Sequence, residues 1–506
     1  MAKPFWHSWS IGGALITAGL ILLWCFCAIL MEYFPGYVYP LKILDSRLYD
    51  LQFEIRGPVL PSGDVVLVEI DDTSFDRIGR WPWSRKIIAD LYSKVADAKP
   101  RVVAITSAFT EPDTNILVEP IKSLREQYER LGPRQKSVRF FESLKEQEEL
   151  ADTDALLAKA IAKFNKVVLT YRSQVYGEVR EIGEEEEEEL FSLIRPSTIK
   201  LFILGEKHPD LVPKIVMIRP SIPQISSVTP YHGFLRYPVD YDGRIRFTEM
   251  VIEHKGDYYP SLEFLTAALS QNTLPGIRFG WMGVYRTFFG EEETSIPTLP
   301  SGRAFINYLG RGVNFPSVIS ADVLEGKINP AELKDKVVLI GVTSEAITRD
   351  LLATPVGNLV PGLVATASAV DMMIRKDFLS RPYWMLGLEL ILLALVSALL
   401  AIGLRGLGAW GGVLSTLFLM GGVVIVSHFL GFANGYVVSL APMLCCFSSI
   451  YLVLSVYYYL AEEKKSAEVR NAFQHYLSPA VVQQVLGSPE QLVLGGGEKS
   501  SYSSFC

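Results

Sequence analysis

At 506 residues the chain has room for about two to four domains, and its 48 basic against 55 acidic residues leave a formal net charge of −7 at pH 7. That balance, a pI near 5.6 and the lack of any dense basic stripe exclude nucleic acid as a natural partner. Hydrophobic residues at 49% beside 20% charge, with a mean hydropathy of +0.24, mean that apolarity is concentrated in segments.

The first such segment, residues 11–33, carries no charge before Glu32 and is long enough to cross a bilayer as a helix. A cleaved secretory leader is the competing reading. The run is longer than a leader core, only Lys3 precedes it, and MEYFPGY lacks the small residues of a cleavage site, so retention as a first span is expected.

Roughly 350 residues follow before the next apolar run, enough for one large domain or two small ones. Short Val/Ile-rich runs at 65–70, 102–108, 166–171, 303–308 and 336–341 predict strands, of the kind buried on both faces. Residues 84–98 set Ile87, Ile88, Leu91 and Val95 on one helical face with Ser84 as N-cap, and 152–162 and 361–374 behave alike. Strand and helix in succession predict an α/β domain with a mostly parallel sheet. An antiparallel hairpin is expected within 233–252, where two strand-like arms flank Asp242-Gly243.

Asp240, Asp242, Gly243 and Glu249 share the spacing of a calcium-binding loop, but its first ligand position falls on Pro238, and Arg244 and Arg246 bring repelling charge; a plain turn fits better. The six glutamates 184–189 predict a solvated, mobile insertion. No phosphate-binding loop, nucleophile elbow or zinc-protease motif occurs, and the six histidines are scattered. Two places remain as ligand candidates at the mouth of a parallel sheet: residues 341–350, from Gly341 to Asp350, and Asp71 with Asp72 at the end of an earlier strand. Each also has an ordinary reading, as a connection or a helix-leading acid.

Three further spans are expected at 383–404, 409–432 and 436–460, interrupted only by Glu389, His428, Pro442 and the Ser448-Ser449 pair. Glu389 and His428 are costly in lipid and are expected to face the bundle, where they could pair; Pro442 and the serines could bend the last span. Arg405 between the second and third spans, and Lys464, Lys465 and Arg470 after the last, place those ends in the cytoplasm, although Arg375, Lys376 and Arg381 precede the second span on the opposite side. The resulting plan is a cytoplasmic N-terminus (1–10), a first span (11–33), an extracytoplasmic domain (34–382), three spans and a cytoplasmic tail (461–506). Of five cysteines, Cys25, Cys27, Cys445 and Cys446 lie in expected spans and Cys506 ends the sequence, so the outer domain is held without disulfides. Leu460, Ala467 and Phe473 recur near heptad spacing; a parallel homodimer stalk and a merely solvated helix both fit.

Several stretches in series resemble the CHASE2 extracellular sensor domain over residues 41–382: LYDLQFEIRG, VVLVEIDDTSFDRIGRWPWSR, DYDGRIRF, YYPSLEFLTAAL and LKDKVVLIGVTSEAITRDLLATPVG. The resemblance implies one span before the sensor and three after it, in a bacterial inner membrane, feeding a cytoplasmic cyclase, kinase or phosphatase. Asp71, Asp72, Trp81, Pro82, Asp242, Gly243, Gly341 and Asp350 are candidate sensor-domain motif residues; the resemblance does not establish the extracytoplasmic ligand, so it transfers no binding role to any of them. One departure is Ile105-Thr106-Ser107-Ala108-Phe109, where the family usually carries an Asp near the strand end.

Residues 472–499 are similar to the lead-in of class III adenylate/guanylate cyclase domains, with Phe473, Tyr476, Ser478 and Pro479 as candidate transmission residues. In such enzymes the following strand brings an Asp for Mg2+ or Mn2+; here Lys499 is followed by SSYSSFC, so neither cyclase activity nor a cofactor is expected of the chain as given. Truncation or a frameshift near Lys499 is the preferred account, with an active full-length cyclase as the alternative. Membrane lipid, an outer ligand and a second copy are the expected partners.

Overall fold

The computed structural model describes residues 19, 23, 41–113, 118–130, 137–175, 184–203, 211–280, 283–290, 294–344, 351–403 and 409–474. The chain divides into two compact units: Ala28–Glu389 with Val424–Pro442, and Met1–Cys27 with Leu390–Val423 and Met443–Cys506.

The larger unit is built on a seven-stranded sheet in the order Ser317–Ile319, Val65–Ile70, Val337–Val342, Val102–Ile105, Val167–Val175 and Ile215–Arg219, with His232–Phe234 also paired to Val167–Val175. All pairings are parallel except that of Ile215–Arg219. Continuous Val/Ile runs form these strands because both faces are covered. Val66, Val68, Val103, Ile105, Val338 and Ile340 point into one core, and Val65, Leu67, Val102, Ala104, Val337 and Leu339 into the other. Helices Arg85–Asp97 and Thr153–Ile161 close the first face; Leu262–Ser270 and Gly362–Arg375 close the second. In Arg85–Asp97 the buried side is Ile88, Leu91, Tyr92 and Val95 as expected, but Ser84 holds the N-cap position without a side-chain cap bond. A second sheet of Thr294–Pro297, Gly283–Phe289, Pro275–Gly280 and Leu201–Ile203 encloses a separate core around Phe264, Phe279 and Phe289.

Two expectations are corrected. The Asp242-Gly243 turn exists, with Gly243 N–H donating to the Asp240 carbonyl at 2.9 Å and Gly243 at φ +81°, but its arms share only a Val239–Ile245 bridge. They then part: His232–Phe234 joins the main sheet, and Phe247–Glu249 pairs antiparallel with Arg303–Phe305, which therefore lies outside that sheet. The glutamate run is no mobile insertion either, since it opens the helix Glu184–Ile194, whose Phe191 and Ile194 are buried. Glu187 reaches His254 at 3.1 Å and Lys255 at 3.0 Å, and Glu188 reaches Arg195 at 2.6 Å.

The apolar C-terminal segments fold as helices Tyr383–Gly403, Ala409–Val426 and Ala441–Gln474. Among the described residues one run, Trp410–Asn434, is long and apolar enough to cross a membrane; Tyr383–Leu399 and Ala441–Tyr457 are shorter apolar helices. The expected first span lies outside the described residues apart from Gly19 and Leu23. Residue 441, not 436, begins the last helix, and Pro442 falls in its first turn, where a missing N–H costs no hydrogen bond, so it does not bend the helix. In the smaller unit Leu393, Val396, Cys446, Phe447 and Ile450 are buried, whereas Ile391, Leu395, Leu414, Phe418 and Leu452 face outward.

Candidate functional site

At the sheet mouth the sequence-marked acids are engaged in bracing. Asp71 caps the helix Asp72–Ile78, accepting from Ser74 N at 2.9 Å and Ser74 Oγ at 2.6 Å. Asp72 accepts from Ser344 Oγ, and Thr343 Oγ1 donates to Glu69 at 3.1 Å, so the ends of Val65–Ile70 and Val337–Val342 are tied together. The helices Arg85–Asp97 and Gly362–Arg375, which come after these two strands in the chain, pack on opposite faces of the sheet, the arrangement at which open α/β folds form a crevice. Gly341 serves close approach: a Cβ there would lie 2.4 Å from Thr106 Oγ1 and 2.9 Å from Leu363 Cδ1. Trp81, before the cis peptide bond to Pro82, packs against Trp83 with ring centroids 5.7 Å apart. Asp350 lies outside the described residues.

Asp242 and Gly243 sit elsewhere, beside the first described helix, Lys42–Arg56, here termed the lead helix. Arg246, 2% exposed, directs one guanidinium at three carboxylates. It donates to Asp50 at 2.9 and 2.8 Å, to Asp242 at 2.7 and 2.8 Å, and to Asp240 at 2.9 Å. Arg244 lies 3.4 Å from Asp50 and Arg47 lies 3.7 Å from Asp242, which brings the local charge into balance. The calcium-like spacing of Asp240 and Asp242 is thus answered by an arginine, whose planar fork of donors suits buried carboxylates. Hydrogen bonds from Arg246 hold the Asp242 carboxyl down at about 2, whereas burial pushes Asp50 up in spite of the same arginine.

The lead helix also grips the other end of the unit. Asp45 accepts from Ser439 Oγ at 2.9 Å and from Leu440 N and Ala441 N at 2.8 Å each. Those N–H groups stand at the start of the final helix, Ala441–Gln474, whose first-turn donors have no partner within the helix. Asp45 is therefore a cap lent from another element. Glu389, wholly buried, takes the Ser439 N–H at 2.9 Å and the Arg381 guanidinium at 2.9 Å. His428 Nδ1 meets Gln52 Oε1 at 2.8 Å. The anticipated Glu389–His428 pair is not formed, because each has a nearer partner. Tyr49, Phe53 and Phe432 pack edge to face around this junction, with Phe53 and Phe432 centroids 5.0 Å apart.

Asp45, Asp50 and Gln52 were not singled out by sequence, and Arg246 entered only as a charge repelling calcium. Tyr49, Asp50, Gln52 and Phe53 all fall on the buried side of one helix, and the polar members among them were the available signal. A further buried acid, Glu263, is the second residue of Leu262–Ser270; neither oxygen has a hydrogen-bond partner of proper geometry among the described residues. Burial raises its carboxyl to about 7, with the Tyr237 and Ser261 hydroxyls offsetting only part. Of the transmission candidates, Phe473 is near the end of the final helix, and Tyr476, Ser478 and Pro479 lie outside the described residues.

The larger unit is an α/β fold whose first described helix is anchored to the start of the final helix. Residues 20–404 match the CHASE2 domain, and the chain belongs to that family, whose domains are extracellular sensors of signalling receptors. Neither the curated proteins nor the solved structures provide a match to the chain.

Proposed function

We propose that this chain is the input part of a receptor that crosses the membrane four times, holds its α/β unit outside the cytoplasm and controls a class III adenylate/guanylate cyclase domain through its final helix. The observation that carries the reading is the Asp45 cap. The lead helix, gripped by Arg246, directly holds the first N–H groups of a helix that runs unbroken from Ala441 to Gln474. A ligand that favours one setting of the lead helix shifts the population of final-helix positions by its differential affinity for the two states. Apolar side chains turned outward on the C-terminal helices support a lipid environment. The positive charges ahead of residue 383 weigh less against the topology because Arg375 pairs with Asp371 at 2.9 Å and Arg381 with Glu389. Resemblance of residues 472–499 to a cyclase lead-in supports the output assignment, and that domain would bring its own Mg2+ or Mn2+ site. A heptad-like tail supports assembly of two copies, as cyclase active sites require.

Topology is tested by placing a single cysteine at Leu60, which is 83% exposed, in a chain whose own cysteines are serine. A membrane-impermeant maleimide is expected to label it in intact cells; labelling only after lysis overturns the reading. Output is tested by joining a class III catalytic domain after Lys499 and measuring cyclic nucleotide, with Asp45→Ala expected to change basal output and the unextended chain as control. Identical output from the D45A fusion would remove the proposed route.

A further inference from the structure

A cavity of about 510 Å³ opens beside the C-terminal turn of the lead helix, lined among others by Phe53, Glu54, Arg244, Arg311, Val356 and Asn358. Its volume is that of a small-molecule site. We propose that this cavity is the input site of the sensor and takes a small amphoteric molecule, one bearing both a carboxylate and an ammonium group, as a free amino acid does. The proposal rests on the sensor reading above and names the ligand class for it.

The charges of the wall carry the argument. Arg244 is a fixed guanidinium, donating to the Thr354 carbonyl at 2.9 Å and to Asn358 Oδ1 at 3.1 Å while facing Asp50 at 3.4 Å. Arg311 and Glu54, both exposed, make no hydrogen bond or ion pair among the described residues, so one cation and one anion of the wall are uncommitted. An occupant with negative charge alone meets Glu54, and one with positive charge alone meets two arginines. A molecule carrying both signs satisfies each: the arginine fork suits a carboxylate, and a carboxylate suits an ammonium. Phe53 and Val356, with Pro58 and Pro355, supply the apolar remainder.

Position explains how occupancy would be felt. Glu54 and Phe53 belong to the lead helix, and Asp50, one turn back, faces both Arg244 of the cavity wall and the buried Arg246. A ligand drawing Glu54 toward Arg311 therefore acts on the helix that caps the final helix through Asp45.

The test uses the full chain in detergent, with thermal unfolding followed in each proteinogenic amino acid singly, and in acetate and methylammonium at matched ionic strength. At least one amino acid is expected to raise Tm while neither half-charge probe does. Arg311→Gln is expected to abolish the shift and Glu54→Gln to weaken apparent affinity about tenfold or more, with Arg77→Gln, at a remote surface pair with Glu325, retaining it. Arg311 has no hydrogen-bond or ion-pair partner among the described residues, so an unchanged ligand-free Tm is expected of R311Q and confirms that it folds. No shift with any amino acid, or a shift that survives R311Q, overturns the proposal. If binding fails while the Leu60 label still reports an outside location, only the cavity assignment falls; if the label is reached only after lysis, the sensor reading falls instead.

Discussion

Arg246 answers three carboxylates from a buried position, so its loss is not the loss of one hydrogen bond. Arg246→Ala leaves Asp50, Asp240 and Asp242 close together without their common cation, and is expected to cost about 3–5 kcal/mol, read as a fall in the urea midpoint of the larger unit. Arg246→Lys keeps the charge but lacks the planar fork, and should recover only a fraction. Two acids then predict opposite pH limbs. Asp242 is held at about 2, below its ordinary 3.8, so its contribution is complete above about pH 4 and is lost as pH falls through 2. Glu263 is raised from 4.5 to about 7, so its contribution is complete below about pH 4.5 and is lost as pH rises through 7. Glu263→Gln is expected to flatten that upper limb, which spans on the order of 3 kcal/mol by linkage. Unfolding at a series of pH values checks both; a mutant with the unaltered slope between pH 5 and 8 would contradict the assignment.

Among the elements, the cap given by Asp45 is the contact on which the proposed transmission depends. Asp45→Ala is expected to destabilise the start of the final helix by about 1–2 kcal/mol, seen as faster amide exchange at Leu440 and Ala441, with Asp45→Asn partly restoring protection. That contact joins residues 396 apart in sequence, and the donors that cap the helix are backbone N–H groups, which carry no residue signature, with the Ser439 hydroxyl beside them. Nothing in the sequence around 441 could reveal it. The strands Val65–Ile70 and Val337–Val342 were legible for the opposite reason: burial on both faces writes a continuous apolar run. The Asp242-Gly243 turn was legible too, yet the pairing of Phe247–Glu249 was not, because its partner Arg303–Phe305 is supplied by tertiary structure. Among the site residues, the acids at the sheet mouth were found at the expected strand ends but braced there, while Arg246 was read only as a charge repelling calcium.

For the whole molecule, the α/β plan was readable from periodicity and the C-terminal apolar helices from segment hydropathy, and the CHASE2 family match agrees with a sensor domain. What the sequence withheld was the wiring between distant parts. The lead helix carries two grips, Asp45 on the final helix and Asp50 on Arg246, a fixed number of residues apart on one rigid rod. It is in that sense a ruler with a set phase. Adding one residue between the grips turns them against each other by about 100° and lengthens the rod by about 1.5 Å, so no rotation of the helix can satisfy both at once. Length changes there should uncouple a fused catalytic domain while substitutions on the outer face, such as Ile43→Ala or Leu51→Ala, are tolerated.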